Sequence, residues 1–264
     1  VLVAEDHPVN RQYMAALLES LGHHVHFAAN GLEAVQAVSE QPFDIVLMDL
    51  HMPELDGIGA TRAIRALPDR HAATMPIVAL TADAFPETRD RCLVAGMNDF
   101  LTKPVSPEKL GTALRRLFGA SATEVGPSEP AGTEAAAPVA AGMPPLVDPA
   151  AVTAALQAMS RERLGTMVHA YLDEGPQTVQ RLRAAMRDAQ PLELRVNAHA
   201  ARGAALNLGL AALAGTAGAL QEGASHLPAH EIARLVQRFD ELLPRTRAAA
   251  LAAGLRPATQ LATE

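Results

Sequence analysis

Five short apolar runs punctuate the first 119 residues: Val1–Ala4, Val25–Ala28, Ile45–Met48, Ile77–Leu80 and Phe100–Leu101. Amphipathic stretches separate or follow them, at roughly 8–21, 31–40, 57–66, 86–95 and 106–118. Runs so uniformly apolar leave no face for water, so they read as strands covered on both sides. Strands alternating with helices in this way predict an α/β unit, a five-stranded parallel sheet between two helical layers.

The alternation stops after residue 119. Residues 120–147 are rich in Ala, Pro and Gly, lack aromatic side chains, and carry three acids and no base. That is the composition of a flexible linker. Beyond it the pattern is helical, near 149–158, 160–174, 177–189, 191–208, 210–223 and 228–252. Gly175-Pro176 predicts a break or kink, Pro191 suits a first helical turn, and Gly209 suits a helix stop. An all-α bundle over 148–255 and a tail over 256–264 complete the expected layout. Aromatic residues are only 3% of the chain and Trp is absent, so small aliphatic side chains must build the cores. That favours closely packed helices.

Several classes of function are disfavoured at this level. The single cysteine, Cys92, excludes a disulfide framework and a multi-cysteine zinc site, and reads as a small core residue. A net charge of −7 argues against a nucleic-acid partner. No apolar run approaches the ~18–20 residues that span a bilayer, and no signal peptide is evident. The chain opens on Val1, directly in a strand, and reads as part of a longer protein.

In an open parallel sheet of order 2-1-3-4-5, ligands bind past the carboxyl ends of the first and third strands. Glu5 and Asp6 follow the first strand and Asp49 follows the third. Three carboxylates meeting at one crevice repel one another. They call for a divalent cation, and all-oxygen donors point to Mg²⁺. Thr81 adds a hydroxyl from the fourth strand end and Lys103, followed by Pro104, adds an ammonium from the fifth. This is a site for a phosphoryl group, with a carboxylate able to serve as nucleophile. Asp56-Gly57 reads as a turn opening a helix, Asp44, Asp83 and Asp99 as loop or capping acids, and His23, His24 and His26 as surface residues.

The segments VLVAEDHPVNR, IVLMDLHMPELDG, VALTADAF and DFLTKPV resemble, in this order, those of the receiver domains of two-component signalling. The resemblance implies a flavodoxin-like (β/α)5 fold with Asp49 as phosphoacceptor. It implies that Glu5, Asp6, Asp49 and the backbone carbonyl of His51 hold Mg²⁺. Thr81 and Lys103 would contact the phosphoryl group, Lys103-Pro104 would be cis, and Thr81 with Phe100 would form the family's switch.

In the helical half, Leu194, Ala198, Ala201, Ala205 and Leu208 fall on one stripe at helical spacing. His199 lies about 140° away at roughly 100° per residue, so it is expected to be exposed. Arg202 and Gly203 neighbour it, and Leu192, Val196 and Leu206 share its face, which suggests a docking surface. An imidazole there can carry a phosphoryl group on nitrogen. His169 reads as a packing or surface residue. The segments YLDEGPQTVQRLRAAMRDAQ and NAHAARGAALNLGLAALAGTAGALQEGA resemble a histidine-containing phosphotransfer (HPt) domain, with Arg202 where lysine is common. His199 is then the phosphohistidine.

Together the resemblances imply the C-terminal part of a hybrid sensor histidine kinase. Its kinase core would lie upstream in the same membrane-anchored polypeptide, with this part in the cytoplasm. Phosphate would pass from that core to Asp49, on to His199, and then to a receiver domain on a separate response regulator. A 28-residue flexible tether spans ~30 Å and gives an effective concentration of order mM. Transfer within one chain and between two chains both stay open. Two other readings compete. One is a phosphatase with Asp49 as nucleophile, although His51 stands where a second acid is usual. The other is a scaffold that binds kinase or regulator without transfer.

Overall fold

Each of the five apolar runs forms a strand: β1 (Leu2–Ala4), β2 (His26–Ala28), β3 (Val46–Asp49), β4 (Ile77–Thr81) and β5 (Asp99–Thr102). They make one parallel sheet in the order β2-β1-β3-β4-β5. The computed structural model describes residues 1–82, 85–118 and 144–258. Asp83, residues 120–143 of the expected linker and residues 259–264 of the expected tail lie outside the described residues.

Side chains alternate across the sheet, as the strand period requires. Val3, Leu47, Val78 and Leu80 pack under α1 (Pro8–Ser20) and α6 (Pro107–Phe118). Leu2, Val46, Met48, Ile77 and Ala79 face the other way, toward α2 (Gly31–Glu40), α3 (Gly57–Arg65) and α5 (Pro86–Ala95). Cys92 is buried in this second layer. Side-chain caps set the starts of α2 and α3, which shields otherwise unpaired N–H groups. Asn30 accepts from Glu33 N at 2.8 Å, and Asp56 from Gly59 N at 2.7 Å. One short helix, α4 (Arg70–Thr74), was not expected, because five residues are too few to show a periodicity.

The second half opens with α7 (Pro149–Ala155), followed by α8 (Arg161–Arg187), α9 (Pro191–Asn207), α10 (Ala211–Gly223) and α11 (Ala229–Ala252). Each of the last four packs on the next, and α11 returns to α8, closing a four-helix bundle. Alanine sets the close approach of α9 to α10: Ala198, Ala201, Ala204 and Ala205 meet Ala212, Leu213 and Ala217 in a buried seam. Gly209 ends α9 with a φ of 71°, a conformation glycine adopts without strain. The bundle also takes in Pro144–Val147, through Ala212 N donating to Pro145 O at 3.1 Å. At its other end, His169 is buried and lies 3.0 Å from Leu255 O.

The expected break at Gly175-Pro176 is corrected: α8 runs through Pro176 as a single helix of 27 residues. Tertiary packing overrides the local penalty. A Cβ on Gly175 would lie 2.6 Å from Leu243 Cδ2, so the bare glycine lets α11 press against α8 beside the proline. Among the described residues no helix is long and apolar enough to cross a membrane.

Candidate functional site

The parallel register brings the polar strand ends to one edge. Ala4 pairs with Met48 and Asp49 with Leu80, so Glu5 emerges beside Asp49, and Thr81 pairs with Thr102, just before Lys103. Glu5, Asp49, Thr81 and Lys103 are all buried, and Asp6 is half-buried. The Lys103 ammonium lies 2.5 Å from Asp49 Oδ2 and 2.9 Å from Glu5 Oε2. Glu5 Oε1 accepts from Asn10 Nδ2 at 2.9 Å and from His7 N at 3.2 Å. Asp49 Oδ1 accepts from His51 N at 3.2 Å. The Lys103-Pro104 peptide is cis, and Lys103 N donates to Thr81 O at 2.7 Å. Phe100 is half-buried, with the Arg89 guanidinium 5.4 Å over its ring.

The electrostatics of the pocket are those of an acid excess. Burial pushes the Glu5 carboxyl above its ordinary range, against the pull of Lys103. Burial, and then Glu5, push Asp6 up to about 6. Burial alone would make Lys103 easier to deprotonate, but Asp49 and Glu5 outweigh it and hold the ammonium protonated well above its usual value. Glu5, Asp6 and Asp49 each place an oxygen within 4.8 Å of the others. Three carboxylates with one ammonium among them fit a hard divalent cation.

Helix α9 lies across the mouth of this pocket. His199 was expected to be exposed, and here the structure corrects the sequence: the residue is only 4% exposed. It faces away from its own bundle core, whose stripe of Leu194, Ala198, Ala201, Ala205 and Leu208 is buried. What covers it is the first half of the chain. The His51 ring sits against it, with centroids 4.0 Å apart and planes at 46°. Ligand atoms of Asp49, His51 and His199 all lie within 4.8 Å of one another. One turn on, Gly203 faces Lys103, whose Nζ would lie 3.4 Å from a Cβ at that position.

The covered strip is His199, Gly203 and Asn207, one residue per turn, rather than the aliphatic patch the sequence suggested. Leu192 and Val196 stay exposed, and Leu206 is half-buried against the apolar core. Arg202 lies over Gly218 and donates to Gln221 Oε1 at 3.3 Å. Asn207, which the sequence marks only as part of the HPt-like motif after Arg202-Gly203, joins the halves in the buried seam. Its Oδ1 accepts from Val105 N at 3.2 Å, and its Nδ2 donates to Asn10 Oδ1 at 3.0 Å. Asn10 in turn holds Glu5, so the contact runs to the pocket floor. Asn207 carries a motif signal and Asn10 only its place one turn from Glu5 and Asp6, and neither signals a contact between the halves. At the rim, Arg163 pairs with Glu19 at 2.8 Å, and the His7 ring lies 3.9 Å from Glu174.

Comparison with known proteins matches each half of the chain to a different family model. Residues 1–115 match the model of the response regulator receiver domain, and residues 166–263 match that of the Hpt domain. The signal transduction histidine-protein kinase BarA of Escherichia coli (strain K12) is 40% identical over 116 residues, 44% of this chain and 12% of its own length. The sensor histidine kinase GacS of Pseudomonas protegens is 40% identical over 128 residues, 48% of this chain and 14% of its own. The chain thus spans about an eighth of these relatives. Among solved structures, the receiver domain of a Pseudomonas aeruginosa sensor histidine kinase, with a magnesium ion coordinated in its active site cleft, is 44% identical. That match covers 45% of this chain and 96% of the other, with a TM-score of 0.42.

Proposed function

We infer that this chain, a response regulator receiver domain joined to an Hpt domain and so a component of phosphorelay signalling, transfers a phosphoryl group from Asp49 to His199. The observation that carries this is the approach of the Asp49 carboxylate to the His199 ring, within 4.8 Å, in a seam from which water is largely excluded. That separation suits one phosphorus atom held in line between an attacking and a leaving atom.

The steps follow from the groups present. An Asp49 oxygen attacks the phosphorus of a phosphohistidine on an upstream kinase; the N–P bond breaks as the O–P bond forms. A ring nitrogen of His199 then attacks the same phosphorus, the Asp49 O–P bond breaks, and the carboxylate is restored. Lys103, already bound to Asp49, offsets the charge that gathers on the leaving oxygen. Thr81 offers its hydroxyl to the phosphoryl oxygens, and Phe100 with Thr81 registers the change. Mg²⁺, held by Glu5, Asp6, Asp49 and the carbonyl of His51, would supply the remaining positive charge. Phosphohistidine on His199 then serves a receiver domain on a separate response regulator. We place the receiver unit at 1–119 and the Hpt unit at 148–255. The kinase core that feeds Asp49 belongs upstream in the same cytoplasmic assembly.

Acetyl phosphate with Mg²⁺ tests the scheme. It should label the chain, and Asp49→Asn should abolish the label. In the unaltered chain part of the label should survive alkali, as phosphohistidine does. In His199→Gln it should all be alkali-labile aspartyl phosphate. No labelling at all would favour the scaffold reading.

A further inference from the structure

Phosphoryl transfer across the seam calls on Asp49 and His199 but leaves the side chain of His51 without a task. That ring stands two residues after Asp49 and packs on the His199 ring at 4.0 Å between centroids. Asp49 and His199 are buried, His51 is half-buried, and the three offer a carboxylate oxygen and two imidazole nitrogens within 4.8 Å of one another.

We propose that Asp49, His51 and His199 form a second, transition-metal site that spans the two halves, and that Zn²⁺ or a similar ion bound there locks the relay shut. Two imidazoles and one carboxylate make a borderline donor set that takes Zn²⁺, Co²⁺ or Ni²⁺ in preference to Mg²⁺, which favours oxygen alone. Three protein ligands leave the fourth tetrahedral position to water. Metal–nitrogen bonds of about 2.0–2.1 Å ask the three side chains to close in by roughly an ångström. Lys103 holds Oδ2 of Asp49 and His51 N donates to Oδ1 at 3.2 Å, so an ion would share Oδ1 with that long hydrogen bond. The pocket's charge favours a dication, since Glu5, Asp6 and Asp49 outnumber the single ammonium of Lys103.

The consequence differs from that of Mg²⁺. An ion in the seam occupies the carboxylate that accepts phosphate and the imidazole that receives it, so neither can attack. It also ties residues 49 and 51 of one half to residue 199 of the other. The proposal rests on the docked arrangement of the halves, not on transfer between them.

Titrating the full chain with Co²⁺ under excess Mg²⁺, and reading visible absorption, tests it. One Co²⁺ per chain should give an intense tetrahedral spectrum that Zn²⁺ displaces. His51→Gln and His199→Gln should each weaken binding by roughly tenfold or more, since losing a direct ligand costs no less than losing its supporting partners. His24→Gln, at an exposed histidine, should leave the titration unchanged. Binding that survives His51→Gln, that falls equally with His24→Gln, or that Mg²⁺ suppresses at equal concentration would overturn the proposal. The readout is metal absorption, so its failure leaves the relay reading intact, and a failure of labelling leaves the metal site intact.

Discussion

Lys103 is gripped by two carboxylates, at 2.5 Å from Asp49 and 2.9 Å from Glu5, with almost no solvent around it. Removing one partner of such a cluster leaves charge buried without compensation. Lys103→Met should therefore cost about 3–5 kcal/mol at pH 7.5 in chelator. The loss should be smaller at pH 5.5 than at pH 7.5, because burial pushes Glu5 upward and it takes up a proton more readily as the pH falls. Urea unfolding at the two pH values measures this. Asp6 gives a second expectation. Its carboxyl rises from 3.8 to about 6 on folding, so the folded state binds that proton more tightly. The associated stability is complete below 3.8 and disappears as pH rises through about 6. Metal-free protein should weaken across that window, Mg²⁺ should restore the loss, and Asp6→Asn should flatten the profile by about 3 kcal/mol. A metal-free profile without this slope contradicts the assignment. At this scale the acids, Thr81 and Lys103 were legible because strand ends are legible. The His51 ring, Asn10 and Asn207 were not, because their importance depends on a surface that only the docked second half supplies.

Among the elements, α8 is the plainest case of packing overruling local preference. A proline in a helix interior forfeits a hydrogen bond and crowds the preceding turn, at about 3 kcal/mol. Yet Pro176 lies well inside the helix, beside the glycine on which Leu243 rests. Pro176→Ala should raise the stability of the bundle by about 1–3 kcal/mol, seen as a higher urea midpoint at unchanged helix content. A fall in the midpoint would mean that the ring itself fills space the bundle needs. The other helices followed from their apolar periodicity, and all five strands from short, uniformly apolar runs. The short α4 escaped because one turn and a half has no period to read.

For the molecule as a whole, the seam between the halves lets the proposed transfer run within one chain. Its rate should be independent of protein concentration in the micromolar range. Mixing Asp49→Asn chains with His199→Gln chains should give slower, concentration-dependent transfer, because the tether then supplies no effective concentration. Equal rates in the two experiments would assign the step to a pair of chains. The surface ion pair of Arg163 with Glu19 contributes little to this docking; the buried bonds of Asn207 contribute more. This arrangement could not be read from the sequence, since residues 120–147 announce only a tether and say nothing of where its two ends come to rest. With α9 seated on the pocket, the proposed loading of Asp49 and the proposed delivery from His199 would both require the same two surfaces to part. The relay proposed for this chain would then work as a turnstile, admitting one visitor per opening.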